Sequence, residues 1–568
     1  MRVNEGEIIV YTQDFDPVSN ALGLSSIFAV LPILALFVLL GGLRLAAQWA
    51  ALIALGVAML VAMIVYGMPV DQTALSASEG AAFGLFPIMW IVVAAIWIYN
   101  MTVETGHFAV LRRSFGAISN DQRVQAVLIA FCFGALLEAL AGFGTPVAIT
   151  SVALIALGFK PIKAAAVALV ANTAPVAFGA IAIPIVTLAD VTGLPKEDLG
   201  AMVGRQTPFL ALIVPLILIG MVDGGRGIRQ AWPVAAVGGL VFALGQFLCS
   251  NYISVELTDI VASLAATAAI VMLVRVWQPG EPLIAENGGG AGRPAVAGSS
   301  THAPAMEEEV RRRDDTIKDP PGDVFRAYLP YLIIIAVFAI AQIPAVKDAL
   351  AEKPWTTTFQ WPGLDVTTPD GEALSSLTYN VNWLPAAGTL LLISGLLTML
   401  ALRVSPSRSV KVFAGSLDQL KWAILTVASV LALAYVMNQS GQTITLGLWA
   451  AGAGDAFAFL SALIGWMGVA VTGSDTSSNA LFGALQVTAA KDAGLDPTLL
   501  AAANSSGGVL GKMISPQNLA IGAAAVGMAG QEGDLFRKVL KWSVLLVLVM
   551  CVLVYLQSTA VLDWMVVK

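Results

Sequence analysis

Two similar stretches of sequence, one in each half of the chain, indicate the fold. The first is Ala171-Asn-Thr-Ala-Pro-Val-Ala-Phe-Gly-Ala-Ile-Ala-Ile-Pro184, and the second is Ala503-Asn-Ser-Ser-Gly-Gly-Val-Leu-Gly-Lys-Met-Ile-Ser-Pro516. An Asn, a hydroxyl residue, a Gly and a Pro occupy the same four places in both. Upstream, Gly142-Phe-Gly-Thr145 shares G-x-x-T with Gly473-Ser-Asp-Thr476, at an offset of 331 residues against 332 for the first pair. Two paired blocks at nearly one offset indicate an internal repeat.

The sequence around these blocks has the composition of a membrane protein. Of its 568 residues, 58% are hydrophobic and 12% are charged, whereas soluble domains have about 25% charged residues. Apolar runs long enough to cross a bilayer, about 20 residues each, recur along the chain. We therefore predict an all-α polytopic membrane protein with roughly 12–14 transmembrane spans. The unbroken runs lie near 24–42, 45–66, 84–103, 207–222, 232–250, 259–277, 327–344, 384–402, 422–438 and 542–560.

Basic residues indicate how these spans are oriented. They cluster after three of the runs, and the positive-inside rule places such loops in the cytoplasm. We therefore expect a multi-pass protein of the bacterial inner membrane whose N-terminal segment, residues 1–23, lies outside. The Gly-, Pro- and charge-rich stretch 278–326 then becomes a flexible cytoplasmic linker between two membrane halves, 24–277 and 327–568. The basic residues are Arg112, Arg113, Arg123, Arg226, Arg229, Arg403, Arg408, Lys411 and Lys421.

The paired blocks lie in two hydrophobic regions, 124–193 and 455–528, that Gly, Pro, Asn, Ser and Thr interrupt. With the basic loops inside, the span before the first region runs inward and the span before the second runs outward. The repeats are therefore expected to be inverted, and paired broken helices of this kind are typical of secondary transporters with a midplane site. Close helix packing is the alternative explanation of the small residues. Packing accounts less well for the polar residues, because broken backbone in a membrane is tolerated where it is buried or lines a cavity.

Several of these strings resemble the L-lactate permease family. They are Ala141-Gly-Phe-Gly-Thr-Pro-Val-Ala-Ile149, Ala171-Asn-Thr-Ala-Pro-Val-Ala-Phe-Gly179, Thr472-Gly-Ser-Asp-Thr-Ser-Ser-Asn479 and Gly511-Lys-Met-Ile-Ser-Pro-Gln517. The resemblance covers nearly the whole chain except the linker and the 345–383 loop. It implies uptake of L-lactate, with D-lactate and glycolate, by proton symport. It also implies an ion-transporter-like fold with re-entrant hairpins and an elevator-type movement.

A lactate ion needs partners for one carboxylate and one hydroxyl group. Half-helix N-termini offer backbone N–H groups to an anion. Side chains in the paired blocks could supply further hydrogen bonds, although capping of a broken helix is the alternative role of each. The predicted substrate-binding residues are Thr145, Asn172, Thr173, Thr476, Ser477, Asn504, Ser505, Ser506 and Lys512.

Glu138 and Asp475 are the predicted proton-coupling residues. Glu138 lies deep in an apolar run, where an ionised group costs about 2.5–3.5 kcal/mol on insertion scales, so such residues are usually functional or paired. Glu138 is the preferred proton carrier, with a structural partnership to Lys512 as its alternative, and Asp190 ranks well behind both acids. Lys512 is the basic residue within the repeat motifs. It could bind the substrate carboxylate or neutralise Glu138 or Asp475, and the sequence leaves these roles open.

Energetics favours a proton as the coupling ion. Importing an anion against an inside-negative potential costs about 2.3 kcal/mol per 100 mV, and one accompanying proton cancels that term. A sodium-coupled carboxylate symporter and a uniporter or channel for monocarboxylates are the alternatives. An enzyme is disfavoured, because the sequence has no nucleophile–base–acid set and no motif for a cofactor or a metal. The sequence leaves open whether the protein is a monomer or a homodimer.

Overall fold

The computed structural model describes residues 10–568 except Arg44, Ala117, Phe143, 284–318, Gln342, Glu372, Ser375, Ser376, Ala529 and Gly530. Most of the predicted linker and residues 1–9 of the predicted outer segment therefore lie outside the described residues. The described chain is almost entirely helical, as its apolar composition predicts. Because a bilayer offers the backbone no hydrogen-bond partners, each spanning segment must satisfy its own N–H and C=O groups, and a helix does so.

The helices before the linker include three π-helical segments, Val38–Gly42, Gly84–Met89 and Ala126–Phe133, and a 3₁₀ turn at Val176–Phe178. The helix α13 is broken inside by non-helical backbone at Asp223 and Gly224. The α-helices are α1 Leu22–Ala29, α2 Leu31–Phe37, α3 Ala47–Ile64, α4 Val70–Phe83, α5 Trp90–Glu104, α6 His107–Gly116, α7 Gln122–Gln125, α8 Gly134–Ala141, α9 Thr145–Ala156, α10 Pro161–Ala171, α11 Gly179–Thr192, α12 Lys196–Val203, α13 Thr207–Tyr252 and α14 Thr258–Val276.

The helices after the linker include 3₁₀ turns at Gly454–Ala456, Lys512–Ile514 and Asp563–Met565. The α-helices are α15 Pro321–Ala341, α16 Pro344–Ala351, α17 Ala387–Ala401, α18 Pro406–Gln439, α19 Gln442–Ala451, α20 Phe457–Thr472, α21 Asp475–Asp492, α22 Pro497–Gly511, α23 Pro516–Ala525 and α24 Glu532–Gln557.

In the described part of the chain, four short strands form two small sheets beside the helices. The strand β1, Tyr11–Thr12, pairs in parallel with β3, Val366–Thr367, and β2, Thr357–Gln360, pairs antiparallel with β4, Thr378–Val381. The N-terminal segment is thereby fastened to the 345–383 loop. The Tyr11 hydroxyl then donates to the carbonyl oxygens of Tyr66 and Ser440, which ties this segment to the helices.

Fewer helices than predicted are long and apolar enough to cross a membrane singly. Among the described residues there are 10, or up to 11 if one bent pair is a single span, against the roughly 12–14 spans expected from apolar runs. The bent pair, Pro161–Ala171 with Val176–Thr192, turns by 65°. The difference arises because some runs form helices too short to cross alone, such as Thr145–Ile155 and Ala387–Ala401, and because Lys196–Tyr252 is counted once although Asp223 and Gly224 break it.

Each repeat region consists of a helical hairpin followed by a broken helix. In the first repeat, α8 and α9 pack side by side, and the chain continues through α10, a break and α11. In the second, α20 and α21 form the hairpin, and α22, a 3₁₀ turn and α23 follow. The repeats interlock, because α11 packs against α21, while α23 packs against α9 and α10. The two hairpin tips and the two helix breaks consequently meet in one region.

Candidate functional site

Glycines form the tips of both hairpins. Gly142 and Gly144 have φ angles of 37° and 80°, and Gly473 has φ of 75°. Residues with a Cβ atom rarely adopt such angles, so glycine is the residue these turns favour. Contact between the repeats adds a second constraint at Gly144, where a Cβ atom would lie 2.4 Å from Ile521 Cδ1. The glycines that the sequence analysis singled out therefore allow tight tips and close approach.

The start of α11, directly after the break that follows α10, contains unusual backbone. Ala180, Ile181 and Ala182 are left-handed, with φ of 45°, 59° and 58°. Left-handed geometry costs non-glycine residues about 1–2 kcal/mol each. Such conformations persist only where the surroundings impose them, and they cluster at functional sites. Here the strained turn lies beside Glu138, because Ala180 and Glu138 line the same cavity.

That cavity has a volume of about 260 Å³ and lies where the tips and breaks meet. Five of its lining residues are among those predicted from the sequence: Glu138, Asp475, Thr476, Ser477 and Lys512. The wall also includes residues of α3 and α18, outside the repeats. The other lining residues are Ala47, Gln48, Gly142, Val176, Gly179, Ala180, Ile183, Pro184, Trp422, Ala423, Thr426, Val427, Thr472, Gly473, Ser474 and Gln517.

A buried ion pair joins the two repeats in this cavity. Lys512 Nζ donates to Glu138 Oε1 at 2.6 Å, and Asn172 Nδ2 donates to Glu138 Oε2 at 2.9 Å. Glu138 is 2% exposed and Lys512 is 7% exposed. Both carboxylate oxygens of Glu138 thus have a donor, so its charge is compensated although it is buried. Gly179 leaves room for this arrangement, because a Cβ atom there would lie 2.9 Å from Glu138 Oε1.

Asp475 starts the helix that follows the second tip. Its Oδ2 accepts a 2.6 Å hydrogen bond from Ser505, and within the described chain its buried Oδ1 has no partner. A Cβ atom on Gly508 would lie 2.3 Å from that Oδ1, so only a glycine fits there without a shift. The first turn of a helix also leaves backbone N–H groups without intrahelical acceptors. Of these, the Ser477 N–H is capped by the Ser474 hydroxyl.

Asn504 lies outside the cavity wall and connects the repeats. It donates to Asn479 Oδ1 at 2.9 Å and accepts from Gln486 Nε2 at 3.1 Å. Asn479 in turn donates to the Pro184 carbonyl oxygen of the first repeat at 3.0 Å. This chain of hydrogen bonds holds α11 against α21.

Six of the predicted substrate-binding residues do not line the cavity. Asn172 and Ser505 lie one contact behind it, through Glu138 and Asp475. Thr173 donates to the Val170 carbonyl oxygen, which is a helix-terminal role. The buried Ser506 hydroxyl has no hydrogen-bond partner among the described residues. The six residues are Thr145, Asn172, Thr173, Asn504, Ser505 and Ser506.

Other lining residues were not singled out from the sequence. Ser474 and Gln517 lie inside quoted motifs, so their position in those motifs could have signalled them. Gln48, Trp422 and Thr426 lie on α3 and α18, in apolar stretches without a motif. Trp422 contacts Trp49 with ring centroids 6.5 Å apart.

Comparison with known proteins places this geometry in a family. The model of the L-lactate permease family matches residues 25–561. The L-lactate permease of Bacillus subtilis (strain 168) is 41% identical over 98% of this chain and 100% of its own length. The glycolate permease GlcA of Escherichia coli (strain K12) is also 41% identical, over 97% of this chain and 98% of its own. A solved structure of Neisseria gonorrhoeae MtrF, 15% identical, covers 94% of each chain with a TM-score of 0.46. The resemblance inferred from the motifs is confirmed, and the chain belongs to the L-lactate permease family, a family of membrane transporters.

Proposed function

We propose that this protein imports L-lactate and similar 2-hydroxy monocarboxylates, including D-lactate and glycolate, by proton symport. The observation that carries the proposal is the buried pair of Lys512 and Glu138, each supplied by a different repeat, in the wall of one cavity. The printed names of the relatives, an L-lactate permease and a glycolate permease, agree with a small 2-hydroxy acid as substrate.

Lys512 would bind the substrate carboxylate. It is a cation in the cavity wall, and a hydrogen bond between charged groups is roughly twice as strong as a neutral one. The N-terminal turn of α21 would assist, because its free N–H groups and helix dipole favour an anion. Ser474, Thr476 and Ser477 of that turn, together with Gln517, offer donors and acceptors for the 2-hydroxyl group. The cavity volume of about 260 Å³ accommodates such a small acid.

Coupling would follow from competition for Lys512. In the empty protein the lysine pairs with Glu138. When lactate takes the lysine, Glu138 loses its cation and is left buried beside Asn172. An unpaired buried carboxylate is strongly disfavoured, so Glu138 would take up a proton at this step. Substrate binding and proton binding are then two parts of one exchange.

The charges balance in both states that must cross the membrane. The empty site holds Lys512⁺ and Glu138⁻, and the loaded site holds Lys512⁺, lactate⁻ and neutral Glu138. These groups sum to zero in both states, so binding lactate together with a proton leaves the charge of the site unchanged. A site loaded with lactate but without the proton would carry one negative charge. One proton per lactate is the stoichiometry that this scheme requires.

Movement would be of the alternating-access type. The two repeats, inverted relative to each other, would move as one unit against a scaffold that includes α3, α4 and α18. The interlocking of α11 with α21 and of α23 with α9 and α10 supports a common unit. The cavity wall contains both unit and scaffold residues, as expected of a site between moving parts. The N-terminal segment would lie outside, and the linker would lie in the cytoplasm between the two halves.

Uptake by purified protein in liposomes tests this function. With lactate outside, an inwardly directed proton gradient should drive accumulation above the equilibrium concentration, and a sodium gradient at equal pH should not. Accumulation driven by sodium alone would replace the proton with sodium as the coupling ion. Equilibration without accumulation under either gradient would indicate a uniporter.

A further inference from the structure

Two acidic residues that play no part in the proposed coupling step lie close together away from the cavity. Glu79, on α4, is 1% exposed, and its Oε2 accepts a 2.7 Å hydrogen bond from Gln439 Nε2. Asp190, on α11, is partly buried and accepts a hydrogen bond from the Tyr435 hydroxyl. Tyr435 and Gln439 are one turn apart on α18, so a single helix face donates to both acids. No described lysine, arginine or histidine forms an ion pair with either acid.

This cluster involves the same two helices that line the cavity, α11 and α18. It lies nearer the C-terminal end of each helix than the cavity does. On α11, Pro184 is the last residue that lines the cavity, and Asp190 follows it by about 9 Å of helix rise. On α18, Val427 lines the cavity, and Tyr435 follows it by about 12 Å. The cluster of Glu79, Asp190, Tyr435 and Gln439 is therefore separate from the cavity, although both lie between α11 and α18.

Close packing between α4 and α18 separates the cluster from the cavity. A Cβ atom on Gly80 would lie 2.5 Å from the Leu431 carbonyl oxygen, and one on Gly84 would lie 2.9 Å from Ala428 Cα. The α4 and α18 backbones thus touch between cavity and cluster, and the Phe83 and Tyr435 rings pack with centroids 6.2 Å apart. Leu188, which lies on α11 between Pro184 and Asp190, is fully buried and packs against Gly483 of α21. The helix backbones are thus packed together between the cavity and the acids.

The hydrogen bond between Tyr435 and Asp190 crosses the boundary between the two parts of the molecule. Asp190 belongs to the first repeat, whereas Tyr435, Glu79 and Gln439 belong to the α4–α18 pair of the scaffold. A movement of the repeats that separates α11 from α18 would break this bond. Its strength therefore contributes to the free-energy difference between the conformation seen here and one opened on the acid side.

We propose that Asp190 and Glu79 form a second proton-binding station, and that the bond between Asp190 and Tyr435 is a latch that closes the cavity on their side. This inference rests on the proposed alternating-access function. A hydroxyl donates a stronger bond to an ionised carboxylate than to a neutral carboxyl group. Protonation of the station weakens the latch, so acid on that side favours opening toward the proton source. A proton-driven importer must open toward the side with the higher proton concentration, and protonation of the station would favour that opening.

The ionisable groups that face Asp190 from the neighbouring elements are few. They are Tyr435 on α18, Glu79 on α4 and Tyr379 on β4. The Tyr379 hydroxyl donates to the Phe86 carbonyl oxygen. Lys196, on the helix after Asp190, is already engaged with Glu256. The charge of the station is thus set by the two carboxyl groups themselves.

Two conservative variants, Tyr435→Phe and Asp190→Asn, test the latch. Each removes the charge-assisted bond and keeps the side-chain shape. Hydrogen exchange of the purified protein is the first measurement, and it requires no substrate. Amides at the end of α11 and around Tyr435 should exchange about tenfold faster in both variants. Tyr331→Phe, which alters a buried tyrosine of α15, should leave these amides at the wild-type rate.

The pH profile of lactate exchange in liposomes is the second measurement. Wild-type exchange should rise as the acid-side pH falls, whereas both variants should show a flatter profile, because their latch is already open. The double variant should match the single ones. Wild-type amide protection in both variants, or profiles no flatter than that of Tyr331→Phe, would overturn the inference. If the wild-type protein did not transport lactate, the proposed function would fail, while the amide measurement would still decide the latch.

Discussion

Lys512 Nζ lies 2.6 Å from Glu138 Oε1, so a residue of the second repeat and a residue of the first form one buried ion pair in the cavity wall. Buried ion pairs add little to stability on average, because desolvation offsets the attraction between the charges. The loss of one partner is costly, however, since it leaves an uncompensated buried charge. A pair with these properties is suited to exchange one partner for a substrate.

Lys512→Gln should strongly weaken lactate transport. The variant lacks the cation that would hold the carboxylate, and a hydrogen bond to a charged group is worth about 1.5–3 kcal/mol. Lactate should then bind roughly 10–150-fold more weakly, measured by the half-saturation of exchange in liposomes. Lys491→Gln, which changes an exposed lysine of the same repeat, is the control. Wild-type half-saturation in Lys512→Gln would exclude Lys512 from the substrate site.

Gly179→Ala should uncouple transport without unfolding the protein. The added Cβ atom would lie 2.9 Å from Glu138 Oε1 and 3.1 Å from its Cγ, so the carboxylate must move away from Lys512. Alanine suits the backbone here, because φ is −63°. Accumulation driven by a pH gradient should fall, while the melting temperature changes little. The matched control is Gly533→Ala, where a Cβ atom meets nothing within 4 Å. Equal accumulation in both variants would contradict the prediction.

Asn172→Ala and Asn504→Ala should both weaken uptake, but by different routes. Asn172 bonds Glu138, so its loss removes a donor worth about 1–3 kcal/mol to the buried carboxylate. Accumulation should then suffer more than exchange. Asn504 supports the Asn479 link between repeats, so its loss should lower thermal stability as well. Thermal unfolding in detergent, measured beside uptake, separates the two routes. A well-expressed double variant with normal uptake would refute both.

Arg123→Met should destabilise the fold. Arg123 is fully buried and bonds both Asp121, at 2.7 Å, and Asp223, at 3.1 Å. Removing it leaves the buried Asp121 carboxylate without a cation, and breaking a buried pair in this way typically costs about 3–5 kcal/mol. The control is Arg226→Met, because Arg226 is 62% exposed and pairs with the exposed Glu281, and exposed ion pairs add little to stability. Melting temperatures that fall equally in both variants would show that burial does not set the cost.

Much of the fold follows from local sequence signals. Apolar runs predict the helices because a bilayer admits little else. The break in α13 at Asp223 and Gly224 separates the two runs predicted there. The short strands were not predicted, since β1 pairs with a segment more than 300 residues away and two-residue strands have no readable period. Helix pairing, such as α11 with α21, depends on tertiary contacts that no local pattern encodes.

Some residues of the candidate site could likewise be predicted from the sequence, whereas others could be recognised only in the structure. Glu138, Asp475 and Lys512 stand out because charged residues are rare inside apolar runs, and all three line the cavity. Asn172 was expected to bind substrate, and its contact with Glu138 became visible only in the structure. Glu79 and Tyr435 lie in helices without a motif, and their proximity to Asp190 results from packing between distant segments.

The central claim is that Glu138 carries the proton while Lys512 carries the substrate. Glu138→Gln keeps the shape of the side chain and cannot bind or release a proton. The empty variant leaves Lys512⁺ without its partner, so return of the empty site is blocked, whereas the loaded site keeps lactate⁻ paired with Lys512⁺.

The most direct test measures two activities of Glu138→Gln in the same liposomes. We expect accumulation driven by a pH gradient to be lost while exchange of internal for external lactate continues. Loss of both activities together would mean that Glu138 serves only to hold Lys512. A variant that still accumulates lactate against its gradient would contradict the claim and make Asp475 the residue to test as proton carrier.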